Sequence, residues 1–366
     1  MAIQRCAKLL LPAALALLAS RADAGTVRMI GVQLAVDTAV YASSAAYARR
    51  LDEAVTAGLS TLDRKPGEQI IVVLPEHIGT FLAFVGEDPR VLTAPSRAAV
   101  VAKAFLGNGA LFRYHLASVL RSRSWKAFQT YFALTSLLRY KAAAMWKIYT
   151  ETGSALAAKH RVILVAGSIS APRVEEMALP LAPVYGTSAV FGPDGSLLGI
   201  VRKLHPVMEE TLFLTPAPAE ELRPVATPAG RLGVLICSDS WYPDVYERLK
   251  DSDFLAAPSL GEGGLEVFGK TVKAFDGKSF EEGSVPGHPT VRDTWFQNGL
   301  VGRISATRAR GGVQPFLTGR LWDMETGGPG VSLLRRGEKF KLTVVESIKG
   351  SDTFVTLAAP LRRARN

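Results

Sequence analysis

The stretch Arg231-Leu-Gly-Val-Leu-Ile-Cys237-Ser-Asp-Ser-Trp-Tyr-Pro243-Asp-Val-Tyr-Glu-Arg-Leu249 joins an apolar run to the start of a helix. The apolar residues before Cys237 predict a buried strand, and Pro243 suits the first turn of a helix. Cys237 therefore lies at a strand–turn–helix junction, at the carboxyl edge of a sheet. Nearby helix amides can stabilise a thiolate or an oxyanion there, so Cys237 is a candidate nucleophile. The alternative is a small buried cysteine without a chemical role.

Two further buried-strand patterns end on an ionisable side chain. The run Gln69-Ile-Ile-Val-Val-Leu-Pro-Glu76 ends on a carboxylate, and Leu197-Leu-Gly-Ile-Val-Arg-Lys203 ends on an amine. If these strands share one sheet edge with Cys237, the three side chains supply a general base, a cation and a nucleophile. That combination predicts acyl transfer. Taken alone, Lys203 fits a solvated strand end equally well.

Taken together, these motifs resemble those of the nitrilase, or carbon-nitrogen hydrolase, superfamily. The resemblance spans about residues 26 to 335, interrupted by one large insertion. It rests on three segments that occur in the order of the family: Leu74-Pro-Glu76, Arg202-Lys203-Leu-His-Pro206 with Glu209-Glu210 after it, and Leu235-Ile-Cys237-Ser-Asp-Ser-Trp-Tyr-Pro-Asp244. It implies that Glu76 is the base, Lys203 the cation that stabilises an oxyanion, and Cys237 the nucleophile.

The resemblance also implies residues that position the substrate. Glu210, seven residues beyond Lys203, falls where many members carry a second glutamate, and the adjacent Glu209 is the alternative. The backbone amide of Ser238 would join Lys203 at the oxyanion. Trp241 is expected to form an aromatic wall beside the nucleophile or to pack in the core.

Strand and helix patterns alternate along the chain and predict an α/β fold in one domain over residues 25–366. We expect strands at 26–35, 160–169, 253–258, 300–306, 340–346 and 353–358, and helices at 44–59, after Pro243 and at 291–298. Residues 184–191, a turn at 192–196 and the strand before Lys203 are expected to form a hairpin. The resemblance implies a more particular form, a four-layer α-β-β-α sandwich of the nitrilase type.

An insertion at about residues 89–150 stands out by its composition. It contains no Asp or Glu and ten Lys or Arg, in a chain of 366 residues with a formal charge of +10. Apolar pairs such as Leu134 and Leu138 predict helices. Three interpretations remain open: a basic amphipathic hairpin on anionic lipid, a lid over the active site, or extra helices packed on the core. No nucleic-acid motif is present, so a nucleic-acid partner is not expected.

The first 24 residues have the order of a signal peptide. Arg5 and Lys8 precede an apolar run, and Ala22-Asp-Ala24 has small residues at the positions that a signal peptidase reads. We therefore expect export, with a mature chain from Gly25. An uncleaved anchor and a buried N-terminal helix are the alternatives. After cleavage Cys237 is the only cysteine and the histidines show no metal-ligand spacing, so no metal is predicted.

The function predicted from these observations is hydrolysis of non-peptide carbon-nitrogen bonds, in a small amide or nitrile, through a thioester on Cys237. No cofactor is required. One alternative is an N-acyltransferase that uses the same thioester at a membrane surface, and another is a non-catalytic binding module on the same fold. The resemblance further implies a homodimer, with the helices after Cys237 in the interface.

Overall fold

The computed structural model describes residues 25–122, 130–179, 181–270 and 289–361. The helices are α1 Ser44–Ser60, α2 Pro89–Leu92, α3 Arg97–Gly107, α4 Gly109–Ser122, α5 Thr130–His160, α6 Pro243–Arg248, α7 Gly264–Phe268, α8 Val291–Asn298 and α9 Leu300–Arg303. The strands are β1 Thr26–Gln33, β2 Ala35–Val36, β3 Gln69–Val73, β4 Ile163–Val165, β5 Ile169–Ala171, β6 Tyr185–Phe191, β7 Leu197–Arg202, β8 Val225–Thr227, β9 Gly230–Val234, β10 Phe254–Ala256, β11 Ser259–Leu260, β12 Gly311–Gln314, β13 Phe316–Leu321, β14 Met324–Thr326, β15 Pro329–Arg336, β16 Lys339–Glu346 and β17 Thr353–Pro360.

Two large sheets carry the fold. The first has the order β17-β1-β3-β4-β6-β5, with β7 paired to β6, and its central strands β1, β3 and β4 are parallel. The second has the order β16-β15-β12-β10-β9-β8, with β9, β10 and β12 parallel. A small third sheet joins β2, β11, β13 and β14. The carboxyl ends of β3 and β9 lead into Glu76 and Cys237, respectively.

The two large sheets face each other and are covered by helices. Along β1, Ile30 packs in a core with side chains of α1 and α5, whereas the neighbouring Met29 packs in a second core with side chains of the second sheet. This alternation is the period of two expected of a strand buried on both faces. The second core also includes Val245 of α6 and Leu300 of α9. The fold is therefore the four-layer α-β-β-α sandwich that the family resemblance implied.

The basic insertion is helical over most of the part that is described. Val100 of α3, Leu111 of α4 and Met145 of α5 are buried in the core that covers the first sheet. Residues 123–129, within this predicted insertion, lie outside the described residues. Within the described ranges, no helix is both long and apolar enough to cross a bilayer.

Most of the predicted elements are confirmed, but the strand expected at 300–306 is wrong. This segment forms α9 followed by a 3-10 turn over Ile304–Ala306. Leu300 and Ile304 are both fully buried, and four residues separate them, so they lie on one face of a helix and pack together. The apolar run is too short for composition alone to distinguish this arrangement from a buried strand. The predicted signal peptide, residues 1–24, lies outside the described residues.

Candidate active site

Cys237 follows β9 at a sharp turn of the backbone. It begins the 3-10 helix Cys237–Trp241, and its φ of +52° lies in the left-handed region, which residues other than glycine rarely adopt. Such a conformation costs about 1–3 kcal/mol and persists only where surrounding contacts hold it. The backbone N–H of Cys237 donates to Pro258 O at 2.8 Å, and Sγ lies 3.6 Å from Leu260 O. The tertiary structure therefore holds the thiol at the end of the strand.

The same segment that holds Cys237 also holds the loop of Glu76. The N–H of Glu76 donates to Ser259 O at 3.4 Å, between the two carbonyl groups that contact Cys237. Ser259 is itself fixed, because its hydroxyl accepts a hydrogen bond from Gln314 Nε2 at 2.9 Å. Three consecutive carbonyl groups, those of residues 258–260, therefore hold the two loops side by side.

Lys203 lies between two carboxylates. Its Nζ donates to Glu76 Oε1 at 2.8 Å and to Glu210 Oε2 at 2.6 Å, and its backbone N–H continues the β6–β7 pairing by donating to Gly186 O at 2.8 Å. Burial disfavours the charged amine, but the charges of Glu210 and Glu76 outweigh this effect and raise the pKa of Lys203 well above 10.5. Lys203 is therefore a buried ammonium, not the solvated strand end that the sequence alone also allowed.

Glu210 is fixed from three sides within the 3-10 helix Met208–Leu212. Oε2 also accepts the N–H of Val207 at 3.1 Å, and Oε1 lies 3.0 Å from His77 Nε2. Burial alone would raise the pKa of Glu210, but Lys203 and His77 lower it to about 2. The side chain of Glu209, the alternative at this position, lies outside the described part of the structure.

The thiol of Cys237 is neutral at rest. Burial raises its pKa well above 9.0, the charge of Glu76 raises it further, and the charge of Lys203 opposes both. The carbonyl groups of residues 258–260 hold the loops of Cys237 and Glu76 side by side, so the thiol and the carboxylate belong to one site. A nucleophilic role for Cys237 thus requires a group that accepts its proton.

Comparison with known proteins relates part of this site to a known family. Residues 129–264, a stretch that includes Lys203, Glu210 and Cys237, match the family model described as carbon-nitrogen hydrolase. This stretch of the chain is therefore similar to the carbon-nitrogen hydrolases. Glu76 lies before the matched stretch, and the contacts to Lys203 described above bring it into the site.

Solved structures resemble the chain in fold. A carbon-nitrogen hydrolase from Helicobacter pylori G27 superposes with a TM-score of 0.53 at 16% identity, over 90% of this chain and 89% of that chain. Nit3 from Saccharomyces cerevisiae, a member of branch 10 of the nitrilase superfamily, superposes with a TM-score of 0.50 at 15% identity, over 91% and 90%. No curated protein sequence matches the chain.

Ser238 and Trp241 lie in the same 3-10 helix as Cys237. The Ser238 hydroxyl donates to His205 O at 2.6 Å, which ties the turn to the loop after Lys203. The Trp241 ring packs edge-on against Trp295, with ring centroids 5.0 Å apart. Trp241 is therefore part of a buried aromatic cluster directly beside the turn.

Asp239 is a residue of the site that the sequence analysis missed. Its Oδ1 accepts the N–H groups of Leu204 and His205 at 3.0 and 2.8 Å, and Oδ2 accepts that of Ile236 at 3.3 Å. Burial raises the pKa of Asp239 to about 7, against the lowering effects of Lys203 and of these hydrogen bonds. The carboxylate joins the turn of Cys237 to the segment after Lys203. The only sequence signal was an acidic residue two positions after the cysteine.

His77 is the second residue that the sequence analysis missed. Its ring contacts Glu210, and its backbone adopts a left-handed φ of +59°. Glu76, His77 and Glu210 each present one ligand atom within 4.8 Å of the others, a spacing suited to a cation. The ammonium of Lys203 already bonds both carboxylates, so it is the cation that Glu76 and Glu210 hold.

Proposed function

We propose that the chain hydrolyses a carbon-nitrogen bond of a small amide or nitrile through a thioester on Cys237. The observation that carries this proposal is the Lys203 ammonium held between Glu76 and Glu210 beside a buried thiol. The arrangement combines a base, a cation and a nucleophile in one desolvated site, where electrostatic stabilisation of a transition state is strongest.

In the proposed reaction, the Glu76 carboxylate accepts the thiol proton as Cys237 Sγ attacks the amide carbon. The carbonyl electron pair moves to oxygen, and Lys203 Nζ with the N–H of Ser238 stabilises the resulting oxyanion. Collapse of this intermediate expels ammonia or an amine, which takes the proton from Glu76, and leaves an acyl thioester. Water then gives a proton to Glu76 and attacks the thioester, so that the acid leaves and the thiol is restored. A nitrile would first form a thioimidate, which takes up water before it releases ammonia.

Intact mass spectrometry after incubation with a panel of amides and nitriles tests this mechanism. We expect an acyl adduct that peptide mapping assigns to Cys237, together with release of ammonia or amine. Cys237→Ala should form no adduct and lose turnover, because the covalent route is deleted. Turnover by Cys237→Ala at the wild-type rate would refute the proposal. A wild-type protein that forms neither adduct nor product would favour the non-catalytic binding module.

A specific surface feature favours a second candidate, an N-acyltransferase at a membrane. Phe112, Leu116 and Leu120 of α4 are 54%, 48% and 72% exposed. They recur every four residues and so form one apolar stripe, while Leu111 and Ser118 are buried on the opposite side of the helix. An acyltransferase would pass the same thioester to an amine acceptor instead of water.

The charge around this stripe matches an anionic lipid surface. The exposed Arg113 and Arg121 flank the stripe on α4, within an insertion that has no acidic residue over positions 89–150. A helix that inserts an apolar face into a bilayer gains further binding of about 1 kcal/mol from each basic residue near anionic headgroups. We therefore propose that α4 lies on the membrane surface.

Co-sedimentation with anionic and neutral vesicles tests the contact. We expect wild-type protein to sediment with anionic vesicles at low salt and to be released at high salt. A triple change to Ser at 112, 116 and 120 should abolish sedimentation. The matched control changes three exposed apolar residues elsewhere, by Val174→Ser, Leu197→Ser and Leu342→Ser, and should behave like wild type. Equal sedimentation of the two triple variants would refute the proposed contact of α4 with the membrane. In a separate assay of turnover, product formed only when an amine is added would favour the acyltransferase.

Export and dimerisation complete the proposal. Secreted protein should begin at Gly25, and an intact Met1 on soluble cytoplasmic protein would contradict export.

Light scattering at micromolar concentration should give the mass of a dimer, whereas a monomeric mass would exclude the proposed homodimer.

A further inference from the structure

His77 is held by both its backbone and its ring. Its N–H donates to Ser168 Oγ at 2.8 Å, and its carbonyl accepts the N–H of Thr80 at 2.9 Å. The ring bridges Thr80 Oγ1, 3.1 Å from Nδ1, and Glu210 Oε1, 3.0 Å from Nε2. These contacts fix a residue whose left-handed backbone is rarely adopted without such support.

The partners of the ring determine its protonation. Glu210 is a carboxylate and only accepts hydrogen bonds, so Nε2 carries a proton. The Thr80 hydroxyl donates to Ser170 Oγ at 3.1 Å, and Thr80 Oγ1 accepts the N–H of Ser170 at 3.0 Å. With its hydroxyl proton directed to Ser170, Thr80 offers a lone pair to Nδ1, so this arrangement accommodates a proton on Nδ1 as well. A ring with a proton on both nitrogens is an imidazolium.

From this geometry we infer that His77 is a positively charged positioning residue, which neutralises Glu210 and so leaves the charge of Lys203 available to Cys237 and the oxyanion. With a neutral His77, two carboxylates would face one ammonium, and the site would carry a net negative charge before any thiolate formed. With an imidazolium the charges balance, so negative charge on sulfur or oxygen is less costly. The inference rests on the proposed function only where it refers to the oxyanion.

The charged groups that face the ring support the same assignment. Burial opposes the charged form, but the carboxylates of Glu76 and Glu210 outweigh both burial and the repulsion from Lys203, and raise the pKa of His77 above 6.5. The help that His77 gives to Cys237 should therefore be complete at low pH and should be lost as the pH rises through the raised pKa.

Alkylation of Cys237 by iodoacetamide, followed by peptide mass spectrometry between pH 5.5 and 9, tests this inference. His77→Gln keeps an N–H donor for Glu210 but removes the charge. We expect about tenfold slower alkylation in this variant near pH 6, as for a thiol whose pKa is higher by about one, and equal rates at high pH where wild-type His77 is neutral. His160→Gln is the matched control, because His160 also bonds a carboxylate, that of Asp52 at 2.8 Å; it should match wild type at every pH.

A second variant keeps the test decisive if His77→Gln does not fold. Thr80→Val preserves the shape of the side chain but removes the acceptor of Nδ1, so His77 should lose its charge at a lower pH than in the wild type. The faster alkylation of Cys237 that the charged His77 supports should therefore end at a lower pH. A ratio between wild type and His77→Gln that is the same at every pH would show a merely structural role and overturn the inference. Alkylation requires no turnover, so this result is independent of whether amides are hydrolysed. If amides are hydrolysed but the ratio of the alkylation rates is the same at every pH, the charged role of His77 is refuted and the proposed function is not.

Discussion

Lys203 Nζ donates to Glu76 Oε1 across 2.8 Å, and the two side chains are only 1% and 3% exposed. The residues are 127 positions apart in the chain, and each lies just beyond the end of a different strand of the first sheet. Removing one member of a buried ion pair leaves the charge of the other buried without a partner, which costs about 3–5 kcal/mol. The pair therefore links the stability of the fold to the chemistry of the site.

Lys203→Met should lower the free energy of unfolding by about 3–5 kcal/mol and abolish acyl adduct formation. Urea denaturation measures the first effect. Lys159→Met is the matched control, since the Lys159 side chain is 60% exposed in its pair with Asp52 and should cost less than about 1 kcal/mol. The double variant with Glu76→Gln should lose less than the sum of the single losses, because the residues are in contact. Equal stability of the two lysine variants would contradict the prediction.

Glu76→Gln should have opposite effects on alkylation and turnover. The charge of Glu76 raises the pKa of the Cys237 thiol, so its removal should speed alkylation by iodoacetamide about tenfold at pH 8. Turnover should be lost, because the proton acceptor is gone. Glu68→Gln, which removes a buried carboxylate paired with Arg28 at the other end of β3, should change neither rate. Slower alkylation in Glu76→Gln would contradict this electrostatic account.

Gly167→Ala should displace the loop that carries Glu76. Gly167 has φ +70°, and a Cβ there would lie 2.1 Å from the carbonyl oxygen of Pro75. Gly67 also has a left-handed φ, +81°, but open space around it. Gly67→Ala should therefore cost about 1–2 kcal/mol for the backbone alone, and Gly167→Ala about 1–3 kcal/mol more, with loss of adduct formation. Similar losses of stability in both variants, measured by urea denaturation, would show that the close approach to Pro75 has no cost.

Asp239→Asn should change how stability depends on pH. The NH₂ group of the new Asn side chain would face a backbone N–H that a carboxylate oxygen accepts in the wild type. Two donors would then face each other, which should cost about 1–3 kcal/mol of stability. The folded pKa of Asp239, about 7, lies above its ordinary value of 3.8, so the wild type loses stability as the pH rises from about 4 to 7, by about 1.4 kcal/mol for each pH unit in that range. The variant lacks this loss. Denaturation at several pH values should therefore show that the difference in free energy of unfolding between wild type and variant narrows toward pH 7. A difference that stays constant with pH would contradict the raised pKa of Asp239.

The sequence by itself determined the parts of the fold that depend on local patterns. Buried strands read as continuous apolar runs, and the hairpin of β6 and β7 contains a clear turn, so these elements were predictable from local patterns. The four-layer arrangement was implied only by the resemblance to a known family, because periodicity does not show how two sheets pack. Position at a strand end was sufficient to nominate Glu76, Lys203 and Cys237 as candidates. The run from Leu300 to Ala306 was predicted incorrectly because a short apolar segment has no distinctive period.

Only the tertiary structure decided which of these groups meet and in what charge state. His77 reaches Glu210 across 133 positions, and Asp239 binds the backbone of Leu204 and His205 across the site. No local pattern encodes such contacts, because they depend on how separate loops pack at one sheet edge. Burial raises the pKa values of Cys237 and Asp239, and the neighbouring carboxylates raise that of Lys203 against the effect of burial. Both the loss of water around a charge and the proximity of these groups are properties of the folded molecule alone.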